Sequence, residues 1–353
     1  MLDDDVRVYS RDMDLIGFAA GITSLQWHRM YYEAGNFEMH ATPTEDNVRY
    51  FKLENLIWIP GKPEAGVVES VDIKYSATER DLVVKGRFLE SSYMDRRLIR
   101  PSYMADNANT ETVMRTLLTN AVAIPHVVLG PVIGITDTIS FNAQYKNLLN
   151  YEQKLAKSAA VGFRFRPDFE KKTITFEIYQ GVDRSTDQND RPQVIFSEDY
   201  GNLEQIEYSR DTYSYKTVCY VGQLSDGVAT DVCTAGDDTL SGLDRRETWI
   251  EVSDVDKSNL TSAQYQAAMI QHGKDELWSN KCISSTFESS VNPDGNFKYL
   301  TDYDLGDIVT IRRPEWGIEK DERITEINEV YENGTFKIVP TFGTKARIAF
   351  KAD

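Results

Sequence analysis

The chain has 353 residues, more than a single hydrophobic core usually serves, so two or three domains are expected. Its 39 basic and 56 acidic residues give a net charge of -17, spread along the chain, which argues against binding to a nucleic-acid phosphate backbone. No apolar run reaches the ~18 residues of a membrane helix, and the acidic start over residues 1–5 is unlike a secretory signal, so we expect neither an anchor nor a signal peptide.

The first hundred residues are predicted to be mostly strands. Apolar and β-branched side chains alternate with polar ones over 71–75 and 82–88, and a polar loop over 76–81 joins the two segments into a hairpin. A short helical stretch follows, which Pro101 is expected to end. Its apolar residues are Tyr93, Met94, Leu98 and Ile99.

Helical periodicity begins near residue 106, where a second domain is expected to start. Asn109 or Thr110 is placed to cap the first of two helices. A loop over 123–135, rich in Gly, Pro and Val, leads to the second helix, and Gly162 is expected to cap its C-terminus. The apolar faces of the two helices carry Val113, Met114, Leu117, Leu118 and Ala121, and Leu148, Leu149, Leu155, Ala156 and Ala159.

Two further strands, 163–166 and 173–179, are predicted to join through a turn at Pro167 and Asp168 and to complete a helix-and-hairpin unit. The polar stretch 181–192 is a predicted loop and a candidate domain boundary. Strands are then predicted over 194–197, 217–222, 228–233 and 248–252. Thr261 and Gln264 form a capping box that opens a long helix over about 261–282. Its apolar stripe, Tyr265, Ala268, Met269 and Leu277, indicates core packing.

The last third of the chain predicts a small antiparallel sheet. An acidic turn around Gly306 leads into a β-branched run ending at Ile311, and further strand patterns follow over 323–327 and 330–343. Asn333 and Gly334 supply the two φ > 0 positions of a tight hairpin turn. Strands, then helices with a hairpin, then strands again predict an α+β chain that is mainly β, with two β domains and an α+β insertion near the first.

We identify no catalytic, cofactor-binding or metal-binding residues. The histidines, His28, His40, His126 and His272, lack the spacing that puts two imidazoles on one helix face. The cysteines, Cys219, Cys233 and Cys282, lack Cys-x-x-Cys spacing, and their odd number favours small core residues in a reducing compartment. A dyad of Cys282 with His272 stays open, because catalytic groups assemble in space, although nothing in the sequence selects it.

Two other segments have a functional alternative. The turn Asp302 to Asp307 has the alternating oxygen ligands and the glycine of a calcium loop, but Arg313 stands where the bidentate Glu is expected. Aspartates that accept backbone N–H bonds at a strand entry explain the same residues. The basic trio Arg96, Arg97 and Arg100 is short, and a solvated helix end is favoured over a phosphate site.

Several segments, taken in order, resemble the tail hub proteins of long-tailed phages, a tail-associated (Tal-like) family related to contractile-phage baseplate hubs. The resemblance covers most of the chain. The segments that carry it are 56–59, 66–71, 84–87 with Arg96 and Arg97, 145–149, 162–165, 176–184, Phe196 and Ser197, Asn202 and Leu203, Arg246 and Glu247, and the final sheet that begins at 304–307.

The resemblance implies two tube-type antiparallel β-barrel domains in one chain with a peripheral α+β insertion. We expect a first barrel over 1–105, completed by strands at 192–210, a peripheral domain over 106–191 and a second barrel over 211–353 that contains the long helix. Three copies would then build a pseudo-sixfold ring that adapts a sixfold tail tube to a threefold tip. The hub region of this family has no catalytic residues that could be carried over to this chain. The resemblance therefore implies a structural role without a cofactor.

The same resemblance names the expected partners and location. These are two further copies in a homotrimer, the tail tube or distal tail protein, the tape measure protein, and a tip, spike or fibre protein, with DNA passing through but not specifically bound. Three copies at -17 each would carry -51, so an acidic conduit would repel DNA if the acids faced it. We expect the protein at the virion tail tip, and in the host cytoplasm during assembly.

Two alternatives remain open at this point. A carbohydrate-active tail enzyme would use a pair of carboxylates, and 56 acidic residues offer too many pairs to select one. A receptor-binding module would expose some of the 19 Tyr, 15 Phe and 5 Trp to sugars, although strand patterns account for most of these aromatics. The chain stops ten residues after Gly343, so we expect a separate protein to supply any cell-wall hydrolysis.

Overall fold

Strands dominate the computed structural model, which describes residues 6–76, 80–252, 261–293, 295–332 and 334–343. The strands are β1 Arg7–Tyr9, β2 Leu15–Phe18, β3 Ile22–Met30, β4 Asn36–Ala41, β5 Leu56–Trp58, β6 Ala65–Tyr75, β7 Arg80–Phe88, β8 Leu98–Ile99, β9 Tyr103–Asn109, β10 Val127–Leu129, β11 Thr138–Ala143, β12 Lys146–Asn147, β13 Gly162–Asp168, β14 Thr173–Tyr179, β15 Ile195–Ser197, β16 Leu203–Asp211, β17 Val218–Ser225, β18 Val228–Gly236, β19 Glu247–Glu251, β20 Ser284–Val291, β21 Ile308–Arg313, β22 Ile318–Glu332 and β23 Thr335–Gly343. The α-helices are α1 Glu45–Tyr50, α2 Leu89–Met94, α3 Thr110–Asn120, α4 Leu148–Ala159 and α5 Ser262–Ser279.

The chain divides into two units. Among the described residues, unit 1 contains those up to 207 and those over 287–343, and unit 2 contains those over 208–286. The expectation of a mainly β chain is confirmed. None of the described helices is long and apolar enough to cross a membrane.

One large sheet joins strands from both ends of the chain. Its strands follow the order β16-β20-β23-β22-β3-β4-β7-β6-β5-β1-β2, with β21 beside β22 and β15 beside β21. The central pairing is between β3 and β22, which run antiparallel with Trp27 opposite Glu329. The predicted hairpin of β6 with β7 is confirmed, and so is that of β22 with β23. Gly334 has φ +77° in the second turn, whereas Asn333 lies outside the described residues.

The core of this sheet packs around Trp27. Its ring lies 4.7 Å from that of Phe88 and 5.8 Å from that of Phe37, measured between centroids, and all three side chains are buried. Phe37 lies across two glycines of neighbouring strands: a Cβ on Gly66 would come within 2.4 Å of the Phe37 ring, and one on Gly86 within 2.9 Å. The missing side chains therefore make room for the aromatic ring.

The helices begin where the sequence places their caps. Asn109 caps α3 and accepts a hydrogen bond from the backbone N–H of Thr112, while Asn147 caps α4 in the same way. The expected cap at Gly162 is wrong, because α4 ends at Ala159 and its C-terminal cap is Ala160, which adopts the left-handed conformation at φ +53°. Gly162 instead begins β13, where the Tyr179 and Tyr31 rings leave no room for a Cβ.

Three other local predictions are corrected. Leu98 and Ile99 are not helical, since α2 ends at Met94 and they form β8, paired with β12. The expected turn at Pro167 and Asp168 is part of β13, and the chain turns over 169–172 before β14. The expected loop 123–135 contains β10, which pairs in parallel with β14.

Unit 2 is a three-stranded sheet covered by α5. The strand order is β18-β17-β19, so three predicted strands pair with one another. The capping box at the start of α5 is confirmed, with both the Thr261 and the Gln264 contact present. The predicted stripe faces the sheet, where Tyr265 and Met269 are buried against Cys219 and Val221.

Candidate assembly surface and its buried support

The central strands of unit 1 have one buried face and one polar face. Residues alternate along β3 and β4, with Leu25 and Trp27 buried and Gln26 and His28 on the opposite face. We call this second surface the open face. It carries Ser24, Gln26 and His28 of β3, Asn36, Glu38 and His40 of β4, Asp81, Lys85 and Arg87 of β7, Glu326, Asn328 and Glu332 of β22, and Thr335, Lys337 and Thr341 of β23.

Charges of both signs alternate across the open face. The Nε2 atom of His28 lies 2.8 Å from Glu326, and Lys85 Nζ lies 2.8 Å from Glu38. His40 contacts two carboxylates, Asp81 at 2.8 Å and Glu38 at 3.1 Å. Burial lowers the pKa of His40, but these hydrogen bonds outweigh burial, so its pKa lies above the ordinary value. The residues named above include four carboxylates and three fixed cations, and Arg87 also binds Glu69 of β6 and Asp95, so the face is of mixed charge without an excess of cations.

The sheet leaves a strand edge open at β6. Strand β5 pairs with β6 only from Ala65 to Val67, whereas β7 pairs with β6 as far as Tyr75. From Ser70 onward, β6 therefore has one neighbouring strand among the described residues. Ile73 and Tyr75 in this stretch are 50% and 72% exposed. Such an edge presents backbone N–H and C=O groups that another strand can bind.

A buried ion cluster holds the two ends of the chain together behind the open face. Arg29 of β3 is 1% exposed and binds Glu64 through both Nε and Nη2, while its Nη1 donates to Asp304 at 2.7 Å. Tyr299 accepts a hydrogen bond from the same Nη1 and donates to Glu329 of β22. The cluster thus joins residues from four distant segments, and every charge in it has a partner.

The pKa values within the cluster follow from this pairing. Burial raises the pKa of Asp304, but the adjacent Arg29 guanidinium and the backbone N–H of Leu305 lower it by more than burial raises it. The pKa of Asp304 therefore lies below the ordinary value. The carboxylate therefore stays ionised at neutral pH. An ionised Asp304 is what the buried Arg29 needs for charge balance.

The turn at Asp304 to Asp307 is a structural part of this buried ion cluster. Asp304 accepts from the backbone N–H of Leu305 at 2.7 Å, and Asp307 accepts from the backbone N–H groups of Val182 and Asp304. The prediction that aspartates stabilise a strand entry is confirmed. Gly306, at φ +93°, lets the turn approach Tyr31, whose ring a Cβ there would meet at 2.2 Å.

Other candidate residues lie apart. Cys282 and His272 make no hydrogen bond to each other, although both belong to the described part of unit 2. Among the described residues the three cysteines form no disulfide, and Cys219 is buried. In the described ranges, no group of three or more His, Cys, Asp or Glu side chains is placed to hold a metal ion. Sequence reasoning missed Arg29, since a lone arginine in an alternating strand carries no signal of its distant partners.

Comparison with known proteins assigns this chain to a family. A family model described as Siphovirus ReqiPepy6 Gp37-like protein matches residues 5–344. The chain belongs to this family. No curated protein matches it. The family assignment confirms the resemblance to phage tail proteins that the sequence suggested.

Solved tail proteins share the fold of this Gp37-like chain. The 43 kDa tail protein of prophage MuSo2 from Shewanella oneidensis is 11% identical with a TM-score of 0.62, covering 97% of this chain and 98% of that one. A tail protein from Neisseria meningitidis MC58 is 14% identical with a TM-score of 0.63, covering 98% and 97%. Prophage tail protein gp18 from Listeria monocytogenes EGD-e is 16% identical with a TM-score of 0.55, covering 96% and 94%. At these low sequence identities, the comparison shows a shared fold and nothing more.

Proposed function

We propose that this protein is a structural hub at the tip of a phage tail or tail-like particle. In this role three copies form a pseudo-sixfold ring that joins the tail tube to the tip or fibre. One observation carries the proposal: eight consecutive strands of the large sheet comprise four from the first half of the chain and four from the second. These are β6, β7, β4 and β3, followed by β22, β23, β20 and β16.

Two four-stranded sets in one chain supply the repeat that a pseudo-sixfold ring needs. Three copies would place six such sets around one axis, and each copy would add its edge strand to the sheet of the next. The open edge of β6 offers one side of this contact, and β16, last in the strand order, offers the other. A heterologous contact of this kind closes a ring when the rotation fits, and closure removes both open edges.

The proposed ring includes two tube-type β-barrel domains. We assign residues 1–105, with strands from 192–210, to the first and residues 211–353 to the second, with 106–191 as the peripheral α+β domain. The antiparallel contact of β3 with β22 supports a link between the two barrels within one chain. The buried Arg29 cluster lies behind this contact and would fix its register.

In the ring we place the open face toward the conduit. Its mixed charge offers DNA no cationic track, so phosphates would pass without counterion release and without specific binding. This differs from the strongly acidic conduit that the net charge of -17 suggested, because Lys85, Arg87 and Lys337 stand among the acids of the open face. Low affinity for DNA would then come from the mixture of positive and negative charges on the open face, and not from repulsion by a strongly acidic surface.

The proposed partners follow from this position. They are two further copies, the tail tube or distal tail protein on one side, the tape measure protein within, and a tip, spike or fibre protein on the other side. The site of action would be the virion tail tip, reached by assembly in the host cytoplasm. Membership of the Gp37-like family supports a structural role, and we propose no catalytic activity for the chain.

Light scattering over a range of protein concentrations tests the ring. We expect a trimer at high concentration, and threefold symmetry in images of assembled tails; twofold symmetry of the hub in those images would refute the proposal. A monomer in dilute solution is compatible with it, because tube contacts can drive assembly by mass action.

A matched pair of variants tests the β6 edge. Ile73→Lys adds a charge to the open edge, and Leu53→Lys adds the same charge to an exposed apolar residue away from it. We expect Ile73→Lys to abolish the trimer and Leu53→Lys to preserve it, with both proteins folded by circular dichroism. A trimer that survives Ile73→Lys would show that β6 does not form the ring contact.

A further inference from the structure

A small pocket in unit 1 gathers positive charge from three separated segments. It has a volume of about 360 Å³ and is lined by Arg11 between β1 and β2, Arg96 and Arg97 after α2, and His126 before β10. Ile124, Pro125 and the Tyr93 ring form its apolar wall. In a chain with a net charge of -17, three arginines around one cavity make a local exception.

The arginines differ in how far their charge is neutralised. Arg96 binds Glu54 through both terminal nitrogens, at 2.6 and 3.0 Å, so its charge is matched. Within the described part of the chain, Arg97 donates only to backbone carbonyls, those of Arg96, Val122 and Ala123. These bonds hold the Arg97 guanidinium in place but do not cancel its charge.

Arg11 is exposed, and no carboxylate in the described part of the chain lies within ion-pair distance of it. Asp12 is the one acidic residue that lines the pocket among those described. Two unmatched guanidinium groups therefore face one carboxylate. The balance of fixed charge at the pocket is positive.

His126 adds a directed polar group to the same wall. Its Nδ1 lies 3.0 Å from the carbonyl oxygen of Lys172, which can only accept, so Nδ1 carries a proton and donates. The other ring nitrogen, Nε2, has no hydrogen-bond partner among the described residues. It can accept a hydrogen bond when His126 is neutral and donate one when the ring is protonated.

From this geometry we propose that the pocket binds the phosphate group of a small phosphate monoester. Guanidinium forks match the oxygens of a phosphate, and the Ile124, Pro125 and Tyr93 wall suits a small organic part. The volume lies at the lower end of the range for small-molecule sites. A continuous nucleic-acid strand would need an extended cationic groove, which a pocket of this size does not provide.

The fold separates the three arginines that are close together in the sequence, since Arg96 and Arg97 line the pocket. Arg96, Arg97 and Arg100 were expected to form a solvated helix end, and Arg100 does not line the pocket. Arg11 and His126 take its place, brought there by the β1–β2 turn and the segment before β10. The site is therefore visible only in the folded chain.

Isothermal titration with glycerol 3-phosphate, inorganic phosphate and glycerol tests the proposal. We expect saturable binding of glycerol 3-phosphate in the millimolar range or tighter, weaker binding of inorganic phosphate, and none of glycerol. Arg11→Gln and Arg97→Gln should each weaken binding by about tenfold, as expected for the loss of one charge-assisted contact. Arg100→Gln, which removes a nearby exposed arginine outside the pocket, should leave the affinity unchanged.

Three outcomes would overturn the proposal. One is the absence of saturable binding by either phosphate ligand to the wild-type protein. Another is an equal loss of affinity in Arg100→Gln and Arg11→Gln, which would indicate non-specific attraction. The third is tighter binding of an unphosphorylated single-stranded oligonucleotide than of glycerol 3-phosphate, which would indicate a backbone contact. Arg11 is exposed and has no ion-pair partner among the described residues, so Arg11→Gln keeps the test valid if Arg97→Gln fails to fold.

Discussion

Gly86 shows how a single residue decides the packing of the large sheet. A Cβ at this position would lie 1.7 Å from the carbonyl oxygen of Val67 and 2.9 Å from the Phe37 ring, so both a strand and a core aromatic would have to move. We expect Gly86→Ala to lower the free energy of unfolding by about 3 kcal/mol. Chemical denaturation measures the loss.

Gly317→Ala is the matched control for Gly86→Ala. Gly317 has φ +63° and open space around its Cα, so the substitution brings backbone strain without a clash. A loss of about 1 kcal/mol is expected there. If the two variants lose the same stability, the close approach at Gly86 is not what constrains the residue.

Glu90 makes the stability of unit 1 depend on pH. Burial raises its pKa from 4.5 to about 8, and the side chain is 2% exposed. The folded state therefore binds the proton more tightly than the unfolded state. This stabilisation is complete below the unfolded pKa of 4.5 and is lost as the pH rises towards 8.

Replacing Glu90 by Gln tests this dependence. The free energy of unfolding of the wild type, measured by chemical denaturation, should fall on going from about pH 5 to about pH 8, and Glu90→Gln should reduce this fall by an amount on the order of a few kcal/mol. The exposed residue Glu45 gives a control, since Glu45→Gln should keep the wild-type slope. An unchanged slope in Glu90→Gln would mean that the buried carboxyl does not titrate in this range.

At the scale of elements, the Arg29 cluster joins β3 to β22 and to the segments around Glu64 and Asp304. Arg29→Ala would leave Glu64, whose side chain is 4% exposed, as an unpaired buried carboxylate. We expect a loss of roughly 3–5 kcal/mol in the free energy of unfolding. By contrast, Arg49→Ala removes an exposed pair with Asp46 and should leave the free energy of unfolding almost unchanged, because solvent screens the pair.

A double-mutant cycle separates the pair from its surroundings. If Arg29 and Glu64 stabilise the fold by pairing, the double variant Arg29→Ala with Glu64→Gln should be more stable than the sum of the single losses implies. Strict additivity would mean that the two side chains act independently.

Local elements were largely predictable because their signals are local. Asn109 marked the start of α3, and Thr261 with Gln264 marked that of α5, since capping groups lie within three residues of the donors they satisfy. The C-terminal cap of α4 was not predictable in this way, because Ala160 adopts a conformation that normally favours glycine. Tertiary packing around β13 overrides the residue preference there.

The Arg29 cluster and the pairing of β3 with β22 could not be predicted from the sequence. Arg29 and Asp304 are 275 residues apart, and the pattern of β3 gives no hint that its neighbour is β22. The turn at Asp304 to Asp307 was correctly interpreted as a strand entry, since its hydrogen bonds are partly local. Its role in neutralising a buried arginine depends on contacts that only the folded chain creates.

At the scale of the whole molecule, the two units have separate cores, and we predict two unfolding transitions. Calorimetry should resolve them, because each unit buries its own apolar cluster, around Trp27 in unit 1 and around Met269 in unit 2. Thr261→Ala removes the α5 cap at a cost of about 1 kcal/mol and should shift only the transition of unit 2. Gly86→Ala should shift only the unfolding transition of unit 1. A single transition that both variants displace equally would show that the units unfold as one cooperative body.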